Sequence, residues 1–181
     1  MEEGPGVRLP PARIVLVGMM GSGKSSVGRA LSSRTGWPFV DNDELLERAT
    51  GRTARQILAE EGEEAMRLAE SQALRAGMDL PVPAIVATAA GTILDPADRA
   101  VIEGGGFVVW LRAPAEVLAR RAAGSAHRPW IADDPVGWFR RSLHEREPLY
   151  AAIADLEVDA ARSTPQRSAA RVIEALKSRP V

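Results

Sequence analysis

Short apolar runs alternate with longer amphipathic stretches along this chain. The apolar runs, rich in β-branched or aromatic residues, predict five strands, at residues 14–17, 37–40, 84–87, 107–111 and 156–159. Apolar residues at helical spacing predict the helices between them, at residues 25–34, 43–50, 53–74 with a break at Gly62, 96–103, 114–123, 136–154 and 165–178. Strands that alternate with helices indicate the α/β class, a five-stranded parallel sheet covered on both faces in three α/β/α layers.

One stretch breaks this periodicity without turning into a strand. Residues 124–135 carry Gly124, His127, Arg128 and two aspartates, and they follow no apolar repeat. We interpret this stretch as a mobile loop between two helices.

The first strand ends in a glycine-rich segment that fits a phosphate-binding loop. Gly18, Gly23, Lys24 and Ser25 have the spacing G-x-x-x-x-G-K-[ST], and strand, loop and helix follow in the required order. Glycines let backbone N–H groups wrap a polyphosphate, and the helix adds its positive dipole end to the same anion. The alternative, a glycine-rich turn before a helix, explains neither the lysine nor the spacing. We predict nucleoside triphosphate binding by Gly21, Ser22, Gly23, Lys24, Ser25 and Ser26.

Composition and charge narrow the remaining classes. The 181 residues fit one domain, and the formal net charge of −1 gives no field that would gather nucleic acid or anionic lipid. The absence of cysteine excludes disulfides, thiolate metal sites and cysteine nucleophiles. Residues 1–11 hold no apolar stretch like a signal peptide or an anchor, and we expect them to be loose. We therefore expect a cytoplasmic monomer that binds neither membrane nor nucleic acid.

Two carboxylates follow the second predicted strand, where ligands bind in parallel sheets. Asp41 and Asp43 point in alternating directions and can serve different partners. We expect Asp41 to hold Mg²⁺ together with Ser25, and Asp43 to accept a hydrogen bond from an attacking hydroxyl. The alternative for Asp43 is the N-cap of the next helix. Residues 88–91 and Arg112 also follow strands and are further candidates at this edge.

Over residues 14 to about 176 the chain resembles the shikimate kinase family. The phosphate loop is common to many proteins, but three further segments together are specific to that family. They are Asp-x-Asp at 41–43, Gly-Glu-x-x-x-Arg at 62–67 and Arg-x-Pro-Leu-Tyr at 146–150. The other shared segments are 18–28, 39–43, 51–53, 66–70, 109–114 and 128–129.

The resemblance implies a P-loop kinase fold formed by one domain over residues 1–181, with substrate-binding helices at about 43–74 and a mobile lid at about 124–135. It implies transfer of the γ-phosphoryl group of ATP, with Mg²⁺, to the 3-hydroxyl of shikimate, a step in aromatic amino acid biosynthesis. Shikimate would be bound by Asp43, Arg67, Ala90, Gly91 and Arg146, the two arginines taking its carboxylate. Arg128 would close over the phosphates, and Arg121 and Pro165 would sandwich the adenine. Lys24, Asp43 and Arg128 are then the catalytic residues.

One segment departs from the family pattern. Where the family has three glycines after the third strand, this chain has Ala89, Ala90 and Gly91. Each added methyl group narrows the approach of an acceptor to the backbone. Three explanations stay open: phosphorylation of shikimate with a shifted loop, a related acceptor such as gluconate or a cyclitol, or ATP binding without the reaction.

Overall fold

The computed structural model describes residues 9, 12–123 and 133–179. Its five strands form one parallel sheet in the order β2-β3-β1-β4-β5, with β1 at the centre, and Ile14 lies opposite Ile85 on one side and Phe107 on the other. The strands are β1 (Arg13–Val17), β2 (Phe39–Asp41), β3 (Ala84–Ala87), β4 (Phe107–Arg112) and β5 (Leu156–Asp159). The predicted parallel sheet is confirmed.

Helices connect the strands, and nearly all of them were predicted within one or two residues of their ends. They are α1 (Lys24–Thr35), α2 (Asn42–Thr50), α3 (Ala54–Glu61), α4 (Glu63–Met78), α5 (Pro96–Gly105), α6 (Ala115–Ala123), α7 (Pro135–Ile153) and α8 (Pro165–Lys177). A single 3₁₀ turn, Thr92–Leu94, follows β3. In the part of the chain that the structure describes, no helix combines the length and the apolar character that crossing a membrane requires.

The strands bury both of their faces, which produces the predicted three layers. On β1, Ile14 and Leu16 face a cluster completed by α1 and α8, whereas Val15 and Val17 face one completed by α5, α6 and α7. This alternation is the period of two that a strand imposes on its side chains. A parallel sheet buried on both faces reads as a continuous apolar run, which is why β1, β3 and β4 were visible in the sequence.

The helical section after β2 has its own small core. Leu46 of α2, Ile57 of α3, and Ala69 and Ala73 of α4 form a separate buried cluster. Thr53 opens α3 with a capping box, and Gly62 (φ 91°) separates α3 from α4, at the predicted break. These three helices therefore form a distinct section beside the sheet.

Three element ends differ by two or more residues from the sequence prediction. The helix predicted to end at residue 74 continues for another turn, to Met78. The second strand begins at Phe39, not at Trp37, because the Trp37 carbonyl turns back to accept a hydrogen bond from Ser32 Oγ at 2.7 Å. The helix predicted to end at residue 103 continues to Gly105, because the backbone leaves the helical conformation only at Gly106 (φ 159°).

Two predicted segments lie wholly or partly outside the described residues. Of the N-terminal segment 1–11 only Leu9 is described, and of the predicted lid 124–135 only residues 133–135 are. Arg128 belongs to the undescribed part.

Candidate active site

A cleft of about 1320 Å³ opens at the carboxyl ends of the strands. It lies where the strand order reverses around β1, the place at which open α/β sheets bind ligands. All the described residues that the sequence predicted for the site, except Arg112, line this cleft, namely Gly21, Ser22, Gly23, Lys24, Ser25, Ser26, Asp41, Asp43, Arg67, Ala90, Gly91, Arg121, Arg146 and Pro165. The fold thus brings together residues spread over more than 140 positions, while their individual roles remain predictions.

The loop between β1 and α1 is shaped to receive an anion. Gly21 (φ 79°) and Gly23 (φ 94°) adopt the left-handed conformation that other residues rarely enter. Gly23 is also the N-cap of α1, where no side chain caps the first turn. The N-terminal amides of α1 therefore keep their hydrogen-bonding capacity and their positive dipole end for a ligand in the cleft.

Lys24 lies across the mouth of this loop. Its Nζ donates hydrogen bonds to the carbonyl oxygens of Gly18 at 2.8 Å and Met19 at 3.1 Å. The ammonium group is thus fixed beside the backbone that would surround a phosphate, although it belongs to the first residue of α1.

Ser25 and Asp41 form the pair that was predicted to hold Mg²⁺. Ser25 Oγ donates to Asp41 Oδ2 at 2.5 Å, and both residues line the cleft. Asp41 Oδ1 accepts from the Asp43 backbone N–H at 3.1 Å, so Asp41 is the N-cap of α2. The alternative assignment of Asp43 as the cap is therefore wrong, because Asp43 lies inside the first turn. A hydroxyl and a carboxylate oxygen are ligands that suit Mg²⁺.

Arg67 is held at the other end of the cleft by two carboxylates of its own helix. Its Nη1 donates to Glu70 at 2.9 Å and its Nη2 to Glu63 at 3.1 Å. Burial alone would lower the pKa of the Arg67 guanidinium, but these ion pairs hold that pKa above its ordinary value. Burial also raises the pKa of the Glu70 carboxyl, and Arg67 opposes that rise. Arg67 is therefore a fixed cation.

At Gly91 the backbone lies directly against the Arg67 guanidinium. A Cβ atom at Gly91 would come within 1.6 Å of Arg67 Nη1, so a side chain there would have to displace the Arg67 guanidinium. The Gly91 backbone itself is ordinary, with φ −85° and ψ −22°. The two alanines before it fit, since Ala89 is buried and Ala90 is half-buried at the cleft wall. Of the three positions, the retained glycine is thus the one beside the arginine.

Arg146 of α7 is the second cation at this end, and it is buried, with only 7% of its surface exposed. Its Nη1 donates to the Ala90 carbonyl at 3.3 Å and contacts Met19 Sδ at 3.8 Å. Its Nε makes no hydrogen bond within the described residues. Arg146 also lines the cleft, so its guanidinium places a fixed positive charge at the cleft wall.

The opposite end of the cleft carries the residues predicted to bind adenine. Arg121 Nη1 donates to the Gly21 carbonyl at 3.2 Å and Nη2 to the Ala160 carbonyl at 2.8 Å. These bonds fix the guanidinium plane between the phosphate loop and the segment that leads to Pro165, which lines the same cleft.

Some residues that line the cleft were not predicted from the sequence, and one predicted candidate does not line it. Trp138 and Ser142 line the cleft from α7 at four-residue spacing before Arg146, and this shared helix face was the available signal. Trp138 is half-buried, and besides lining the cleft it packs against the core cluster that α7 completes. Arg112 was wrong as a candidate: it is exposed, forms ion pairs with Glu147 at 3.1 Å and Glu157 at 3.3 Å, and does not line the cleft.

Comparison with known proteins gives concordant results. A family model described as "Shikimate kinase" matches residues 20–177. A shikimate kinase of Symbiobacterium thermophilum is 42% identical over 171 residues, covering 92% of this chain and 97% of that protein. One of Paramagnetospirillum magneticum is 40% identical over 164 residues, covering 90% and 83%. The solved structure of shikimate kinase from Acinetobacter baumannii in complex with shikimate superposes with a TM-score of 0.85 at 31% identity, covering 90% of this chain and 91% of that one.

Proposed function

Because this chain belongs to the shikimate kinase family, we propose that it transfers the γ-phosphoryl group of ATP to the 3-hydroxyl of shikimate, giving shikimate 3-phosphate and ADP. The observation that carries the acceptor assignment is that two guanidinium groups, those of Arg67 and Arg146, line the same cleft as the phosphate loop. Planar guanidinium groups are suited to a carboxylate, which shikimate carries.

The residues at the nucleotide end of the cleft would bind ATP and stabilise the charge on its phosphates. The glycine loop and the uncapped N-terminus of α1 would bind the phosphates of ATP, with Arg121 and Pro165 on either side of the adenine. Ser25 and Asp41 would hold Mg²⁺, which neutralises charge on the phosphate oxygens when bound. Lys24 would stabilise the charge that develops as the bond between the γ-phosphorus and its bridging oxygen breaks.

The residues at the acceptor end of the cleft would orient the acid relative to the phosphates. Arg67 and Arg146 would fix the carboxylate, and Asp43, exposed in the cleft, would accept a hydrogen bond from the hydroxyl that attacks the γ-phosphorus. Binding the acid by groups far from the reacting oxygen converts binding energy into orientation. Arg128 of the predicted lid would complete the phosphate site, but it lies outside the described residues.

Because Ala89 and Ala90 replace glycines of the family, two other functions are alternatives to phosphorylation of shikimate, and one experiment separates the three. Purified protein is assayed for ADP release with ATP, Mg²⁺ and a panel of acceptors: shikimate, its diastereomeric hydroxy acids, gluconate and a neutral cyclitol. We expect turnover with shikimate and none with the cyclitol, since only an acid engages both arginines. Turnover with another acid alone would identify a different kinase. Nucleotide binding without acceptor-dependent ADP would identify a binding protein that has lost the reaction.

A methyl group at Gly91 tests the placement of Arg67. In Gly91→Ala the new Cβ must displace Arg67 Nη1, since it would lie 1.6 Å from it. We expect the KM for shikimate to rise about tenfold, the cost of misplacing one charged hydrogen-bond donor, with the KM for ATP unchanged. The matched control is Gly104→Ala in α5, where a Cβ meets nothing within 4 Å. An unchanged shikimate KM in Gly91→Ala would show that Arg67 does not contact the acceptor.

A further inference from the structure

Tyr150 is a buried side chain that reaches the wall of the cleft from behind. It lies one turn after Arg146 on α7, is 1% exposed, and stacks on Trp110 with ring centroids 5.8 Å apart. Its hydroxyl donates to the carbonyl oxygen of Ala90 at 3.1 Å, across 60 positions of sequence. Burial raises the pKa of this hydroxyl well above its ordinary value, so it stays a neutral donor at every working pH.

The Ala90 carbonyl thus accepts from two side chains of one helix. Arg146 Nη1 donates to the same oxygen at 3.3 Å. In a trans peptide the C=O and the following N–H point in opposite directions. Because the carbonyl is held toward the interior, the N–H of Gly91 points away from Tyr150, toward the cleft that Gly91 lines.

The preceding peptide is held in the same manner. The carbonyl of Ala89 accepts from Thr92 Oγ1 at 2.7 Å and from the Thr92 backbone N–H at 3.3 Å. Thr92 is 3% exposed, so this bond too is shielded from water. Two hydroxyl groups therefore fix two consecutive peptides in the segment where this chain carries alanines.

We propose that Tyr150 is a positioning residue for the acceptor: its hydroxyl, acting through the Ala90 carbonyl, sets the orientation of the 90–91 peptide and of the Arg146 guanidinium against the bound acid. Thr92 has the parallel role for the 89–90 peptide. This inference rests on the proposed function, because it assigns both hydroxyl groups to the acceptor end of that same site. Neither Tyr150 nor Thr92 lines the cleft itself.

Tyr150→Phe removes the hydroxyl and keeps the ring that stacks on Trp110. We expect the KM for shikimate to rise about fivefold, the effect of one hydrogen bond of about 1 kcal/mol, while kcat and the KM for ATP change less than about twofold. Calorimetric titration with shikimate should show the same weakening. A purely structural role would lower the melting temperature and leave the shikimate KM where it was.

Two further variants keep the test independent of that one substitution. Thr92→Val is isosteric and should also raise the shikimate KM with the ATP KM unchanged. The matched control is Ser71→Ala, which removes a part-buried hydrogen bond of 2.7 Å to Asp98 outside the cleft and should leave both KM values unchanged.

The outcomes separate this inference from the proposed function. If wild-type protein phosphorylates shikimate and both Tyr150→Phe and Thr92→Val bind it normally, the positioning roles are wrong and the kinase assignment stands. If wild-type protein turns over a different acid, the shikimate assignment is wrong, and the same variants measured with that acid decide the positioning roles. Equal loss in Ser71→Ala would also overturn the inference, since the effect would then be general.

Discussion

Replacing Lys24 by alanine is expected to abolish turnover, with a fall in kcat of at least about 10³-fold, the range seen when a preorganised charge at a reacting centre is removed. Lys24 Nζ lies against the carbonyls of Gly18 and Met19 in the mouth of the phosphate loop. The side chain is therefore held where the proposed reaction would develop charge on the transferring phosphoryl group. The measurement is acceptor-dependent ADP release at saturating shikimate.

The sequence offers a matched control for this variant. Lys177, the only other lysine, lies on α8 and pairs with Glu174 at 2.7 Å on the surface, away from the cleft. Lys177→Ala should keep wild-type kcat and KM values. Nucleotide titration and a melting curve must show that Lys24→Ala is folded. Turnover above one tenth of wild type in a folded Lys24→Ala protein would contradict the catalytic role of the loop.

The parts of the site that sequence predicted are those whose signal is local. The phosphate loop needs only eight consecutive residues and the helix that follows. Asp41 was predictable as a partner of Ser25 because both follow parallel strands, whose carboxyl ends meet at one edge of the sheet. Resemblance added Arg67 and Arg146, and the fold brought both to the same cleft.

What sequence did not predict depends on contacts between distant segments. The hydrogen bond from Tyr150 to the Ala90 carbonyl spans 60 positions, and no local pattern in either segment predicts it. Arg112 had the right position at a strand end, but Glu147 and Glu157 bind its guanidinium outside the cleft. The fit of Ala89 and Ala90 was undecidable from spacing, because it depends on which side of the backbone Arg67 occupies.

The acid-binding role proposed for Arg146 leads to the second large effect. Truncation in Arg146→Ala should raise the KM for shikimate about 100-fold, because removal of one partner from a buried charged pair costs about 2–5 kcal/mol. We expect the KM for ATP and the kcat at saturating shikimate to change much less, since the residue contacts Ala90 and Met19, not the phosphate loop glycines. Arg146→Lys keeps the charge without the planar fork and should recover only part of the affinity.

Comparing shikimate with its methyl ester separates a loss of carboxylate binding from a folding defect, because a folding defect would affect both compounds equally. Wild-type protein should discriminate strongly between shikimate and its methyl ester, whereas Arg146→Ala should discriminate much less, because the group that reads the carboxylate is gone. Arg112→Ala, an exposed arginine outside the cleft, should discriminate like wild type. If Arg146→Ala left the affinity for the acid unchanged, the carboxylate assignment would be wrong.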